Sequence, residues 1–230
     1  MKRYLITGAS RGIGRAIAEK LAGAGHTLLL HGRDRDALAK TCRAVEAKTG
    51  LAIPLCYDLR DAAVVEKMIE EIGPKPLDAL INNAGVAVVK PLDQITLQEW
   101  QTIFAVNVTA PFLLTQRLLP MMPSGASIVN ILSVAAKTGF PSWSAYCMSK
   151  FALEGFSQSV REEVRSRGIR VLNIYPAATN TEIWNAVDGE WPREQMMLPE
   201  EIGDAVAYAL SRPAEVAVEN IDLTNLTGRL

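Results

Sequence analysis

The feature that most constrains this chain is a short apolar run that ends in a glycine cluster and restarts at once as an amphipathic helix. Tyr4-Leu5-Ile6 leads into Thr7-Gly8-Ala9-Ser10-Arg11-Gly12-Ile13-Gly14, and Ile13, Ile17 and Leu21 then recur at intervals of four. A strand that turns into a helix in this way presents unpaired backbone N–H groups at the helix N-terminus, where the helix dipole also favours an anion. Glycines there allow a tight turn and close approach of a pyrophosphate. The spacing is GxxxGxG, where the usual dinucleotide fingerprint is GxGxxG. The cluster gains its meaning from its place, after a first strand and before a first helix.

The alternation continues along the chain. Strands are expected at 4–7, 27–31, 52–57, 79–82, 127–132, 170–175 and 219–223. Between them lie helical patterns: one stopped by Gly25, one capped by Asp34 and running to about 48, and one capped by Asp61. Thr96 opens a long pattern that stops near Pro120; others cover 144–166 and, with Pro199 in the first turn, 199–210. Strands alternating with helices imply βαβ units, right-handed crossovers and helices on both faces of the sheet. The expectation is an α/β fold: a Rossmann-type, doubly wound three-layer sandwich with a parallel sheet of about seven strands. It fills a single domain, 1–230, without repeat, low-complexity tract or linker. One long irregular stretch, 177–198, holds Trp184, Trp191, Met196 and Met197. That is too apolar for a disordered loop and reads as a substrate lid.

The bulk numbers exclude several classes. With 24 basic and 25 acidic residues the net charge is −1, so neither nucleic acid nor an anionic membrane is expected as a partner. Cys42, Cys56 and Cys147 are widely spaced and form no CxxC pair, which argues against a disulfide framework or a metal site and for a reducing, cytoplasmic setting. No continuous apolar run approaches the ~18 residues of a membrane span, and 4–7 is too short for a signal-peptide core.

The second strand ends in His31-Gly32-Arg33. A NAD-binding unit usually places an acid there for the ribose 2′-hydroxyl. Here Gly32 takes that place and the guanidinium of Arg33 follows, which suits a 2′-phosphate. Arg11 in the glycine loop is a second candidate for the same group. NADP(H) is therefore the expected cofactor.

These residues, with those that follow, resemble the short-chain dehydrogenase/reductase family over almost the whole chain. Thr7 to Gly14 matches its TGxxxGxG cofactor loop, which takes in Gly8, Ser10, Arg11, Gly12, Ile13 and Gly14. Asp58 matches its adenine-contacting acid, with Leu59 beside it. Asn82-Asn83-Ala84-Gly85 matches its NNAG signature, Asn107 its catalytic asparagine, Ser133 its catalytic serine, and Tyr146-Cys-Met-Ser-Lys150 its YxxxK motif. Within the family the likeness is strongest to sepiapterin reductases and the related benzil-type diketone reductases. It rests on the stretches 146–151, 181–184 and 196–201 and on the tail 226–230. One departure stands out: the family has Pro-Gly after the sixth strand, and this chain has Pro176-Ala177. Thr181, five residues past that proline, sits where the family holds the nicotinamide carboxamide.

The chemistry of hydride transfer fits these residues. A free phenol with a pKa near 10 exchanges protons poorly at neutrality, and an adjacent ammonium lowers that value. Tyr146 and Lys150, four apart on a helix, share one face. Tyr146 is the expected proton donor and Lys150 its tuner. The resemblance adds that Lys150 also holds the nicotinamide ribose and that Asn107 holds a relay water. Ser133 would stabilise charge on the substrate oxygen. The pocket is expected to include Ser133, Phe140, Trp143, Tyr146 and Trp184, with Val86, Ala135, Met196 and Met197 as further walls. Such a lining suits a flat or apolar ketone. The resemblance implies a homodimer or homotetramer through the two long helices. An NADPH-dependent carbonyl reductase is the leading reading. A 3-oxoacyl-carrier-protein reductase, an alcohol dehydrogenase working in the oxidising direction and a non-catalytic NADP-sensing module are the alternatives.

Overall fold

The computed structural model describes residues 2–23, 25–48, 50–187 and 189–226. Seven strands form one sheet in the order β3-β2-β1-β4-β5-β6-β7, every neighbouring pair parallel. They are β1 (Lys2–Ile6), β2 (His26–Gly32), β3 (Leu51–Cys56), β4 (Ala79–Asn82), β5 (Ser127–Ile131), β6 (Arg170–Pro176) and β7 (Asn220–Leu223). The helices are α1 (Gly12–Leu21), α2 (Arg35–Glu46), α3 (Ala62–Ile72), α4 (Leu97–Phe104), α5 (Ala110–Leu118), α6 (Ser144–Arg165) and α7 (Pro199–Leu210). Strand order reverses between β1 and β4, and a crevice opens at the C-terminal ends of the strands at that point.

Alternate residues of each strand feed opposite layers. Ile6, Leu28, Leu30, Ile81, Val129 and Leu172 pack on one face beneath α1, α2 and α7. Leu5, Leu29, Leu80, Ile128 and Val171 pack on the other, beneath α3, α5 and α6. Because both faces are covered, the central strands read as continuous apolar runs. Pro54, which lacks an N–H, sits in β3 at the sheet edge, where no further strand needs one.

Capping sets the helix starts. Asp34 accepts from the Ala37 N–H at 3.0 Å and Asp61 from the Ala63 N–H at 2.9 Å. Thr96 and Glu99 form a reciprocal capping box at α4. The expectation that no stretch has the apolar length of a membrane span needs correction. The helical run Leu97–Met121 is long and apolar enough to cross a membrane. Averaged hydropathy tolerates the polar residues that interrupt a continuous run. Here Ile103, Val106, Ala110, Leu114 and Leu118 of that run are buried in the fold.

A row of asparagines crosses half the sheet. Asn82, Asn130, Asn173 and Asn220 are register partners on β4, β5, β6 and β7. Asn82 donates to Asn130 at 2.9 Å, and Asn130 donates to Ser157 of α6 at 2.7 Å and to Asn173 at 3.3 Å. Asn173 donates to Glu154 at 3.0 Å, and Tyr175 donates to the same carboxylate at 2.5 Å and to Asn220 at 3.1 Å.

The 177–198 segment closes on itself. The Met197 N–H donates to the Ala178 carbonyl at 3.0 Å and the Asn180 N–H to the Met197 carbonyl at 2.8 Å. Two short 3-10 turns follow, Glu182–Ala186 and Arg193–Gln195. Arg193 braces them, donating to Asn180 Oδ1 at 2.9 Å, the Thr181 carbonyl at 2.7 Å and Asn185 Oδ1 at 2.6 Å. The tail 227–230 invoked in the resemblance lies outside the described residues.

Candidate active site

The glycine loop joins β1 to α1 at the sheet's switch point. Gly8 and Gly12 have φ of +66° and +52°, conformations that side chains disfavour. A Cβ on Gly14 would stand 2.2 Å from the Gly8 carbonyl oxygen, so only glycine lets the first helical turn pack so closely. Thr7 Oγ1 accepts from the N–H groups of Asn83 and Ala84 at 2.9 and 3.0 Å, and Asn83 Nδ2 donates to the Thr7 carbonyl at 2.8 Å. The segment 83–85 after β4 is thereby strapped to the loop. On the other side, Thr181 Cγ2 would lie 3.1 Å from a Cβ on Gly12. These contacts leave no room for a Cβ at Gly8 or Gly14 and bring the loop backbone close to both neighbouring segments, the close approach that a pyrophosphate cradle requires.

At the end of β2, a Cβ on Gly32 would meet Ser10 Cβ at 3.0 Å, so a side chain in the usual acid's place would crowd the glycine loop. Arg33 is exposed and, among the described residues, makes no ion pair. Arg11 pairs instead with Asp34 at 3.1 Å, half-exposed on both sides. Asp58 is held by Arg60 at 2.5 Å, whose guanidinium lowers its carboxyl below the usual range, and Leu59 is buried beside it.

The residues expected to carry chemistry meet at the ends of β4 and β5. Ser133 caps a short turn, its Oγ accepting from the Ala135 N–H at 3.1 Å, and its hydroxyl acts on the Tyr146 phenol to lower its value. Lys150 is buried and donates to the Ile131 carbonyl at 2.8 Å. Its Nζ lies 5.6 Å from the Tyr146 ring centroid. Burial pushes the Tyr146 phenol up to about 12, opposed by the Ser133 hydrogen bond. Burial pulls Lys150 down to about 8. The expected lowering of the phenol by the ammonium is not what the geometry gives: loss of solvation dominates, the opposing pull comes from Ser133, and Lys150 points its hydrogen bond at backbone.

Asn107 sits where α4 and α5 are joined by a π-helical turn, Ala105–Thr109. Such turns displace one residue from the helical register and often mark functional positions. The turn aims the Asn107 amide inward, where it is 1% exposed. Oδ1 accepts from the Val86 N–H at 2.9 Å; Nδ2 donates to the Val86 carbonyl at 2.9 Å and to Ser149 Oγ at 3.0 Å. Gly85 bridges the two groups: a Cβ there would be 3.6 Å from Asn107 Oδ1 and 3.9 Å from Lys150 Nζ.

Beside this cluster is a cavity of ≈ 180 Å³. Ser133, Phe140, Trp143, Tyr146 and Trp184 line it, as do Ala135, Pro176, Thr181 and Ile13. Trp143 is the hub: its ring lies 5.5 Å from Tyr146, 5.7 Å from Trp184 and 6.4 Å from Trp191, edge-on to each. Ser142, at φ +66°, turns the chain into α6 just before Trp143, and its carbonyl is held by the Lys90 N–H at 2.9 Å. No charged side chain lines the cavity among the described residues. Val86 and Met196 are not among its walls, and Met197 is buried in the core beneath α7. Trp191, Ile183 and Val187 of the 177–198 segment supply walls that the sequence reading did not name. It gives His31 no role beyond flanking the strand, whereas the residue is buried and hydrogen-bonded to the glycine loop. Its only sequence signal was a polar residue closing the apolar run Leu28-Leu29-Leu30.

The family described as short chain dehydrogenase matches residues 2–190. The chain is 34% identical to a sepiapterin reductase of Chlorobaculum tepidum over 97% of its own length and 96% of the relative's. It is 33% identical to the ketoacyl reductase HetN of a Nostoc species, over 100% of this chain and 82% of HetN. Among solved structures, the angucycline C-6 ketoreductase LanV with bound NADP superposes at a TM-score of 0.87 and 32% identity, covering 96% of this chain and 93% of LanV. LanV with NADP and rabelomycin superposes at 0.85 and 34% identity, covering 96% and 94%.

Proposed function

This chain belongs to the short-chain dehydrogenase/reductase family and is an oxidoreductase of CH–OH and C=O groups, and on that premise we propose that it reduces a flat, uncharged ketone with NADPH. The observation that carries the reading is the meeting of Ser133, Tyr146 and Lys150 at the mouth of an aromatic cavity without charged walls. The fit of the glycine groove supports the dinucleotide. Gly32 packed on Ser10, with Arg33 unpaired beside it, supports the 2′-phosphate and hence NADP(H).

The glycine loop, Asn83-Ala84-Gly85, Asp58, Leu59, Pro176 and Thr181 would hold the cofactor, which when bound supplies the hydride. Tyr146 would give its phenolic proton to the ketone oxygen as that oxygen takes on alkoxide charge, and burial keeps the phenol in its protonated form beforehand. Ser133 would hydrogen-bond the same oxygen and stabilise the charge that develops on it. Lys150, with a value near 8, exchanges protons readily at physiological pH and would return one to Tyr146. Asn107 would keep the path behind Lys150 open to solvent through a water at its amide. The 177–198 segment would act as the lid of one domain, its tryptophans excluding water from the ketone. Exposed Phe112 of α5 and Met148 and Phe151 of α6 support a homodimer formed through those helices.

The test is NADPH oxidation by the wild type and Tyr146→Phe against sepiapterin, benzil, a short 3-oxoacyl thioester and a quinone, with NADH in parallel. Turnover with NADPH on the aromatic ketones, abolished in Tyr146→Phe while NADPH binding persists, supports the reading. Turnover that survives the substitution, or equal use of NADH, overturns it.

A further inference from the structure

Gly8 is clamped from two sides. Asn83 and Ala84 press on it from β4, where a Cβ would meet Ala84 Cα at 2.9 Å. From β2, His31 Nδ1 lies 3.2 Å from the Gly8 backbone nitrogen, and the carbonyl of His31 accepts from the Ala9 N–H at 2.7 Å. The other ring nitrogen of His31, Nε2, is 3.1 Å from the Tyr57 carbonyl at the end of β3. The residue is 2% exposed.

These partners fix the tautomer. A carbonyl only accepts, so Nε2 must carry the proton; an N–H only donates, so Nδ1 must present its lone pair. The imidazole is thus a bridge with one donor end and one acceptor end. The acceptor end holds the first glycine of the phosphate loop, and the donor end holds the residue that precedes Asp58. No other side chain is hydrogen-bonded to both segments among the described residues. Its bonds also occupy the N–H groups of Gly8 and Ala9, so the amides left to face an anion are those nearer the start of α1.

We propose that His31 is a positioning residue of the cofactor cleft: as its Nε2–H tautomer it couples Gly8 to the Tyr57–Asp58 segment and so sets the separation of the pyrophosphate and adenine ends of the groove. The inference rests on the reading of this groove as the NADP(H) site. The neutral ring that it requires is the form that burial favours, holding the imidazole down at about 4.

Two amide substitutions separate the ends of the bridge. Asn places an acceptor near the position of Nδ1, and Gln places a donor near that of Nε2. His31→Asn keeps the Gly8 contact, His31→Gln keeps the Tyr57 contact, and His31→Leu loses both. The measurement is the Kd of NADPH by fluorescence titration, with kcat at saturating NADPH and Tm alongside. The expected result is about tenfold weaker binding in His31→Leu and His31→Gln, the loss of one hydrogen bond at a buried N–H. His31→Asn should stay within about threefold of wild type, and kcat should change little in any variant. Equal binding in all three variants, or a loss confined to kcat, overturns the proposal. A wild type that does not bind NADPH overturns the reading of the groove as well, which separates the two failures. Should the variants not fold, the nitrogen chemical shifts of the wild type decide the matter, since the chain has only two histidines. A protonated Nε2 and bare Nδ1 support the bridge, and the opposite tautomer overturns it.

Discussion

Lys150 Nζ lies 5.6 Å from the centre of the Tyr146 ring, yet its 2.8 Å hydrogen bond goes to the carbonyl of Ile131. The lysine is buried and, among the described residues, has no carboxylate partner, so the fold bears the cost of its charge. Tyr146 and Lys150 are driven apart, to about 12 and about 8, both by loss of solvation.

Lys150→Met should therefore stabilise the protein while disabling it. Removing a buried, unpaired ammonium is worth on the order of 1–3 kcal/mol, less the bond to Ile131. Turnover should fall at least about 100-fold. The sign with pH follows from a folded value below the free one of 10.5: between about 8 and 10.5 the unfolded chain binds more protons, so stability rises with pH in the wild type. Urea melts at pH 7 and pH 9.5 would show the difference between wild type and variant shrinking. A variant less stable than wild type at both values contradicts the account.

His31 gives a second pH dependence, on the acid side. Its folded value of about 4 lies below the free value of 6.5, so the unfolded chain binds more protons between them and stability is lost as pH falls through that window. The full shift is worth about 3 kcal/mol. Thermal melts from pH 7 to pH 4 should decline more steeply in wild type than in His31→Asn.

Gly14→Ala should abolish NADPH binding. The new Cβ would stand 2.2 Å from the Gly8 carbonyl, and that oxygen belongs to backbone that cannot yield without moving the loop. A stability loss on the order of 3 kcal/mol is expected. Calorimetric titration with NADPH and a melting curve check both; a variant that binds as wild type would show the loop to be more pliable than its contacts imply.

Arg33→Ala should cost NADPH about 10- to 100-fold in kcat/KM and leave NADH nearly unchanged, since a guanidinium facing a phosphate is a strong, charge-assisted contact. Equal losses with both cofactors would move the 2′-phosphate elsewhere, with Arg11 the next candidate.

Much of this was legible in the sequence because its signals are local. Asn82 ends β4 and Pro199 starts α7 where expected, since an apolar run before NNAG and a proline in a first helical turn are strong punctuation. Asp34, Asp61 and Thr96 marked helix starts for the same reason. The π-helical turn at Asn107 was invisible, because inserting one residue into a helical register leaves the apolar spacing almost intact. Trp191 and Met197 are both large and apolar and sit six residues apart in the 177–198 segment, yet one lines the cavity and the other is core; only the Thr179–Met197 pairing decides between them. His31 was missed because its role depends on Gly8 and Tyr57, each more than twenty residues away along the chain.

The asparagine row has a consequence for how the sheet assembles. A one-residue slip between strands is costly, because it turns every apolar side chain to the wrong face. A two-residue slip is not caught that way: Val129 and Ile131, or Leu172 and Ile174, simply change places within the same layer. It is caught by the buried Asn82, Asn130 and Asn173, whose amides would then be opposite hydrocarbon, each unpaired at a cost of a few kcal/mol. The row thus serves as proofreading for the even-numbered errors that hydrophobic patterning lets through, and it does so in the half of the sheet that carries Ser133 and sets its distance from Tyr146.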